Sequence, residues 1–237
     1  MAFADFRNIQ QAKGSYSCGG YALAAALCNL TPTNQLPTQL KEAKALETQG
    51  LKGYNRAYDP GIFSKESLTS FAESIYKITG NLELVYNQYS AIYQYYHPAT
   101  SSPSALVHVA SLFDNTGQRI SFNFINNSIG KIVYSSMAVE LNDDEIRLFD
   151  AEIMLMGEIK INEQDNYQPP TTSQTHLILV NRGLHWIAIN HNQLYDPETG
   201  YLGTYIISPD NLTLNLTEDF ENKKEQYDIS GMWIQMG

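Results

Sequence analysis

An α+β fold is the class this sequence predicts, on three observations. The first is the run Cys18-Gly19-Gly20-Tyr21-Ala22-Leu23-Ala24-Ala25-Ala26-Leu27, rich in alanine and leucine and apolar on nearly every side. Such a run reads as a central, buried helix. The second is a series of short apolar, β-branched and aromatic runs in the second half, separated by turn residues. The third is their order. Helices come before strands instead of alternating with them, so the sheet reads as antiparallel.

Residues 1–17 form a polar lead containing Asn8, Gln10 and Gln11. The first helix runs from about Cys18 to Asn29 and stops at Thr31-Pro32-Thr33, because proline cannot continue it. Leu36, Leu40, Ala43 and Leu46 share a face and predict a second helix, followed by a Gly- and Tyr-rich loop from Gly50 to Gly61. Ser64 is read as the cap of a helix striped by Leu68, Phe71, Ile75 and Ile78, with Gly80 as its stop. Leu82 to Tyr96 carries Tyr86, Tyr89, Tyr93, Tyr95 and Tyr96. It is open between a helix and an insertion packed on the domain, its tyrosines serving packing or lining a substrate groove. The loop Thr100–Ser104 divides one domain, 1–237, into a helical part (about 1–100) and a sheet part (about 105–237).

Strands are expected over Ala105–Leu112, Lys131–Met137, Thr175–Val180, His185–Asn190, Gln193–Tyr195, Gly203–Ile207 and Gly231–Gln235. Helices are expected within Asn142–Met156 and over Leu216–Tyr227. Asp165–Ser173, with Pro169-Pro170, is a surface loop, and Asn181-Arg182-Gly183 and Ser208-Pro209-Asp210 are turns.

With 237 residues, 43% hydrophobic and 17% charged, the chain holds enough apolar material for a sizeable core. Its net charge of -10, with 15 scattered Lys and Arg, argues against nucleic acid and anionic membranes as general partners. Two cysteines about three turns apart on one helix cannot bridge within it, and Cys28 reads as a small buried hydrophobe. The five histidines lack zinc-site spacing, and Asp143-Asp144-Glu145 reads as a helix start, so no metal or cofactor is expected. Met1–Arg7 shows no secretory signal, and no apolar run approaches the ~18 residues of a membrane span. The expected location is the cytoplasm, or outside the cell as an effector secreted without a cleavable signal peptide.

Cys18 stands where the first helix begins, beside unpaired backbone N–H groups and the positive end of the helix dipole. Both favour thiolate, the nucleophilic form. A nucleophile needs a base, and Gly183-Leu184-His185-Trp186-Ile187-Ala188-Ile189-Asn190 starts an apolar strand with a histidine. Period-two alternation sets His185, Ile187 and Ile189 on one face and Trp186 and Ala188 on the other. After the turn Asn190-His191-Asn192, the strand Gln193-Leu194-Tyr195 delivers Asp196 back toward His185, ahead of Pro197-Glu198-Thr199-Gly200. There a carboxylate is expected to accept the Nδ1–H bond and leave Nε2 for the thiol. Singly, these are a core cysteine, a strand-edge histidine and a turn aspartate. Only together do they make a site. His97 and His191 read as loop residues, and His108 and His176 as packed strand residues, with His176 a fallback base.

Ser17-Cys18-Gly19-Gly20 leading into a buried helix, His185-Trp186 opening a strand, and Leu194-Tyr195-Asp196-Pro197 ending the next, in that order, resemble the papain-like cysteine peptidases. The nearest likeness is to their bacterial bacteriocin-processing leader peptidases. It covers roughly the first 30 residues and 175–205, leaving 31–174 unmatched. The resemblance implies a papain-like domain with the nucleophile helix packed on an antiparallel sheet. It makes Cys18 the nucleophile, His185 its base and later acid, and Asp196 the residue that orients the histidine. It also implies a glutamine about six residues before the cysteine as an oxyanion donor. That position is Ala12, so Gln11 is the preferred candidate and Gln10 the other. The implied function is cleavage of an amide or isopeptide bond in a protein or peptide substrate, with a bacterial effector among the roles that fit. Deamidase, transglutaminase and acyltransferase chemistry use the same triad. A non-catalytic binding protein retaining the fold is the rival class.

Overall fold

Helix α1 (Cys18–Leu30) is where the helical layer meets the sheet, in a computed structural model describing residues 3–31, 66–79, 83–87, 90–94, 101, 103–112, 120–125, 128, 160–183, 185–217 and 226–237. Every residue of α1 from Cys18 to Cys28 is buried, as its all-round apolar sequence requires. Its first turn is glycine for steric reasons. A Cβ on Gly19 would lie 2.6 Å from the Ser101 Cβ, and one on Gly20 would lie 2.9 Å from the Tyr76 backbone. Around α1 pack α2 (Leu68–Thr79), α3 (Pro103–Leu112) and a 3-10 turn, Phe3–Phe6. The cap of α2 is Ser67, whose Oγ accepts the Ser70 N–H at 3.0 Å, three residues later than expected. Ser64 lies outside the described residues.

The expected strand Ala105–Leu112 is helix α3 instead. A short, largely apolar run fits a buried strand or a buried helix equally by periodicity, and here it packs into the helical layer. The stretch left open around Leu82–Tyr96 contains an antiparallel hairpin, β1 (Glu83–Asn87) and β2 (Ser90–Gln94). The fold is therefore mixed α+β, with a helix beyond the expected dividing loop and a hairpin before it.

The main sheet comprises β3 (Ile120–Ile125), β4 (Lys160–Gln164), β5 (Thr175–Val180), β6 (His185–Asn190), β7 (Gln193–Asp196), β8 (Tyr201–Ile207), β9 (Thr213–Leu216) and β10 (Gln226–Met236). Its order is β4-β3-β10-β5-β6-β7-β8-β9, and β9 also pairs with β10. Strands β5 to β10 thus close into a six-stranded antiparallel barrel, which β3 and β4 extend, paired parallel to each other. Closure depends on an irregularity in β10 between Ile229 and Met232, where Gly231 adopts φ +81°. Strands β3 and β4 were not anticipated. The expected helix Leu216–Tyr227 is overturned at both ends: Leu216 closes β9, and Gln226 and Tyr227 open β10. The elements expected at Leu36–Leu46, Gly50–Gly61, Lys131–Met137 and Asn142–Met156 lie outside the described residues.

The strands divide their side chains between two cores. Leu177, Leu179, Trp186 and Ala188 face the helices, while Ile178, Val180, Ile187 and Ile189 fill the barrel with Tyr201, Tyr227 and Trp233. The alternation expected for β6 is the one observed. No described helix is long and apolar enough to cross a membrane.

Candidate active site

Two buried contacts set α1 against the start of β6. The Trp186 indole N–H donates to the Ser101 carbonyl at 3.0 Å, and the Ser101 hydroxyl pairs with Thr79 at 2.7 Å at the end of α2. Gly19 packs in the same place, in reach of both Ser101 and Trp186. Hence the residue before Gly19 and the residue before Trp186, Cys18 and His185, are brought together. Ser17 precedes the helix without a side-chain cap bond, its hydroxyl paired instead with Ser15 at 2.8 Å.

Strand pairing supplies the third residue. Ala188 pairs with Tyr195 and Ile189 with Leu194. One further step of that register sets Asp196 across from Ile187, two residues from His185 and on its face. The His185 Nε2–H donates to Asp196 Oδ1 at 2.7 Å, with the two residues 6% and 1% exposed. His185 also lies close enough to the Cys18 side chain for the two to interact. The expected use of the ring nitrogens is therefore reversed. Nε2 faces the carboxylate, and Nδ1 is the nitrogen left for the thiol.

Burial alone would push the His185 imidazole toward neutrality. The hydrogen bond to Asp196, followed by the interaction with Cys18, outweighs burial and raises its pKa to about 10. For Asp196, burial would favour the acid, but the His185 bond and charge, with Tyr227 and the Glu198 N–H, hold it below its ordinary value. The two are a buried ion pair, and among the described residues four donors are directed at the carboxylate. Oδ1 also accepts the Glu198 N–H at 2.9 Å, and Oδ2 accepts the hydroxyls of Thr199 at 2.9 Å and Tyr227 at 2.7 Å. The Asp-Pro-Glu-Thr segment is thus a turn folded on its own aspartate. Tyr227 was missed in the sequence, where it closed an expected polar helix.

The lead segment is stitched to that turn. Asn8 N–H bonds the Gly200 carbonyl and Gln11 N–H the Pro197 carbonyl, both at 2.9 Å, and the Tyr195 hydroxyl bonds the Ile9 carbonyl at 2.8 Å. Gln10 uses its side chain on the Glu198 carbonyl. The Gln11 amide donates to the Ser15 carbonyl at 3.2 Å, while its Oε1 is buried without a partner. Gln11 therefore lies between the Asp196 turn and the residues just before Cys18.

His176 is not in the site. It pairs across β5–β6 with Ile189, whereas Val180 pairs with His185, so the two histidines lie at opposite ends of the strands. Among the described residues no cluster of His, Cys, Asp and Glu is arranged to hold a metal ion. Both cysteines are buried and form no disulfide. Comparison with protein-family models, curated proteins and solved structures finds no match to the chain.

Proposed function

We propose that this protein is a papain-like thiol enzyme that cleaves an amide or isopeptide bond in a protein or peptide substrate. One observation carries the reading: a cysteine at the start of a buried helix meets a histidine kept cationic by a buried aspartate. The Cys18 sulfur attacks the carbonyl carbon as thiolate, its proton resting on His185. The carbonyl oxygen takes the negative charge, stabilised by the Cys18 N–H at the helix start and by the Gln11 amide once it turns from Ser15. As the C–N bond breaks, His185 gives its proton to the leaving amine, and the acyl group remains on sulfur as a thioester. His185 then takes a proton from water, which attacks the thioester, releases the acid and restores the thiol. An amine in place of water gives transfer instead, so the acceptor decides between peptidase or deamidase and transglutaminase or acyltransferase.

Alkylation tests this reading. Iodoacetamide, with the modified residue located by mass spectrometry, is expected to label Cys18 far faster than a free thiol at pH 7. His185→Ala is expected to slow it by roughly 10²-fold, the low end for loss of a positioned base. Equal, slow labelling of both proteins would sink the enzyme reading and favour a binding protein. An intact-mass screen against amide, isopeptide and amine compounds then separates hydrolysis from transfer.

A further inference from the structure

We propose that Tyr227 is a positioning residue that fixes the Asp196 carboxylate for His185 from the far wall of the barrel; its role in catalysis rests on the triad reading above. Among the described residues Asp196 accepts hydrogen bonds from His185, Glu198, Thr199 and Tyr227. Glu198 and Thr199 belong to the same turn as the aspartate and move with it. They shape the turn without locating it. Tyr227 stands 31 residues away on another strand, so its bond ties the carboxylate to the barrel itself.

The fold builds this contact. Tyr227 is in the short seam that closes the barrel, where Gln226, Tyr227 and Asp228 pair with Asn215, Leu214 and Thr213. The seam turns the tyrosine ring wholly into the barrel core. A phenol buried there needs a partner for its O–H, and the carboxylate oxygen left over by His185 is that partner. Burial first, then the nearby Asp196 charge, drives the Tyr227 pKa far above its ordinary value, so the hydroxyl remains a donor at every working pH. The groups facing the pair are Cys18 from α1, Asp196 from β7 and Tyr227 from β10, with Glu198 and Tyr201 further out against the phenol. With Oδ2 held by an O–H bond to a charged acceptor, Oδ1 is presented to Nε2 in one orientation.

Tyr227→Phe removes one oxygen and tests the idea in the full chain. The first readout is hydrogen exchange of the His185 Nε2–H by NMR, which reports the His–Asp bond whether or not Cys18 reacts. Exchange is expected to rise about tenfold, the equivalent of one hydrogen bond to a charged group. Tyr167→Phe, which loses a buried hydroxyl at the other end of the barrel, is expected to leave that exchange unchanged. An unchanged His185 N–H in Tyr227→Phe overturns the proposal. A second readout needs no variant. In the unaltered protein the Tyr227 ring carbon bearing the hydroxyl is expected to shift as His185 titrates near pH 10, and a flat resonance overturns the proposal. Cys18 alkylation, run in parallel, judges the triad separately. If labelling is slow while the His185 N–H still answers to Tyr227, the thiol-enzyme reading falls and the positioning role stands.

Discussion

His185 and His176 lie on neighbouring strands of one barrel, are 6% and 1% exposed, and end up in different charge states. His185 is held as a cation, its pKa raised to about 10. His176 is held neutral, its pKa lowered to about 3 by burial, which the nearby Gln235 side chain offsets only in part. They are separated by about 13 Å of strand, four residues at ~3.3 Å each. Burial is common to both, so burial does not decide the charge. The partner does. His185 faces a carboxylate, whereas His176 Nδ1 lies 2.9 Å from the neutral hydroxyl of Tyr167. One end of the barrel holds a buried ion pair and the other a buried neutral pair.

The sharpest way to break this contrast is to remove the carboxylate without changing its shape. Asp196→Asn leaves His185 buried beside an amide, so its pKa is expected to fall toward that of His176. Breaking one side of a buried ion pair costs about 3 kcal/mol in stability, measurable by urea unfolding at pH 7. Cys18 alkylation should fall with it. If His185 still titrates near pH 10 in this variant, the carboxylate is not what holds it charged.

The pH dependence of stability separates the two histidines without any ligand. His185 has a folded pKa near 10 against an ordinary 6.5, so its contribution is complete below 6.5 and is lost as pH rises toward 10. His176 has a folded pKa near 3, so its neutral form is favoured by folding, and stability is lost as pH falls from 6.5 toward 3. Melting temperatures across both windows are expected to show an alkaline decline that Asp196→Asn flattens and an acid decline that it steepens, because a neutral His185 then joins His176 in opposing protonation. His176→Phe should flatten the acid decline and leave the alkaline one. An alkaline decline that persists in Asp196→Asn would assign it to other groups.

This contrast was only half legible in the sequence. The strand alternation set Ile187 and Ile189 on one face and Trp186 and Ala188 on the other, because period two is a local property; the structure puts the first pair in the barrel and the second against the helices. The meeting of His185 and Asp196 was legible for the same reason, since a tight hairpin is a short-range feature, whereas Cys18 was joined to them only by the order of the motifs and the resemblance they carry. The nitrogen that faces Asp196 was not, because ring orientation depends on how α1 and β6 pack. Nor was Tyr227, whose position follows from barrel closure between strands far apart in sequence. Ala105–Leu112 failed for a different reason: an apolar run carries no period with which to choose between strand and helix. The two cores were invisible until β9 met β10.

The smallest expected effect is at the His176 end, and it tests whether the two ends are independent. Tyr167→Phe removes the hydroxyl that meets His176 Nδ1 but keeps the ring, which stands edge-on to Trp233 at 5.0 Å. The loss of one neutral hydrogen bond costs about 1 kcal/mol, so a modest fall in melting temperature is expected. Because the ring still fills its place, the barrel should not collapse toward the cavity that Tyr167→Ala would leave. His185 exchange and Cys18 alkylation should both match the unaltered protein. Sites this far apart without shared partners normally add. A change in Cys18 reactivity would mean that the barrel transmits strain along β5 and β6, and that the His176 end also sets the geometry of the site.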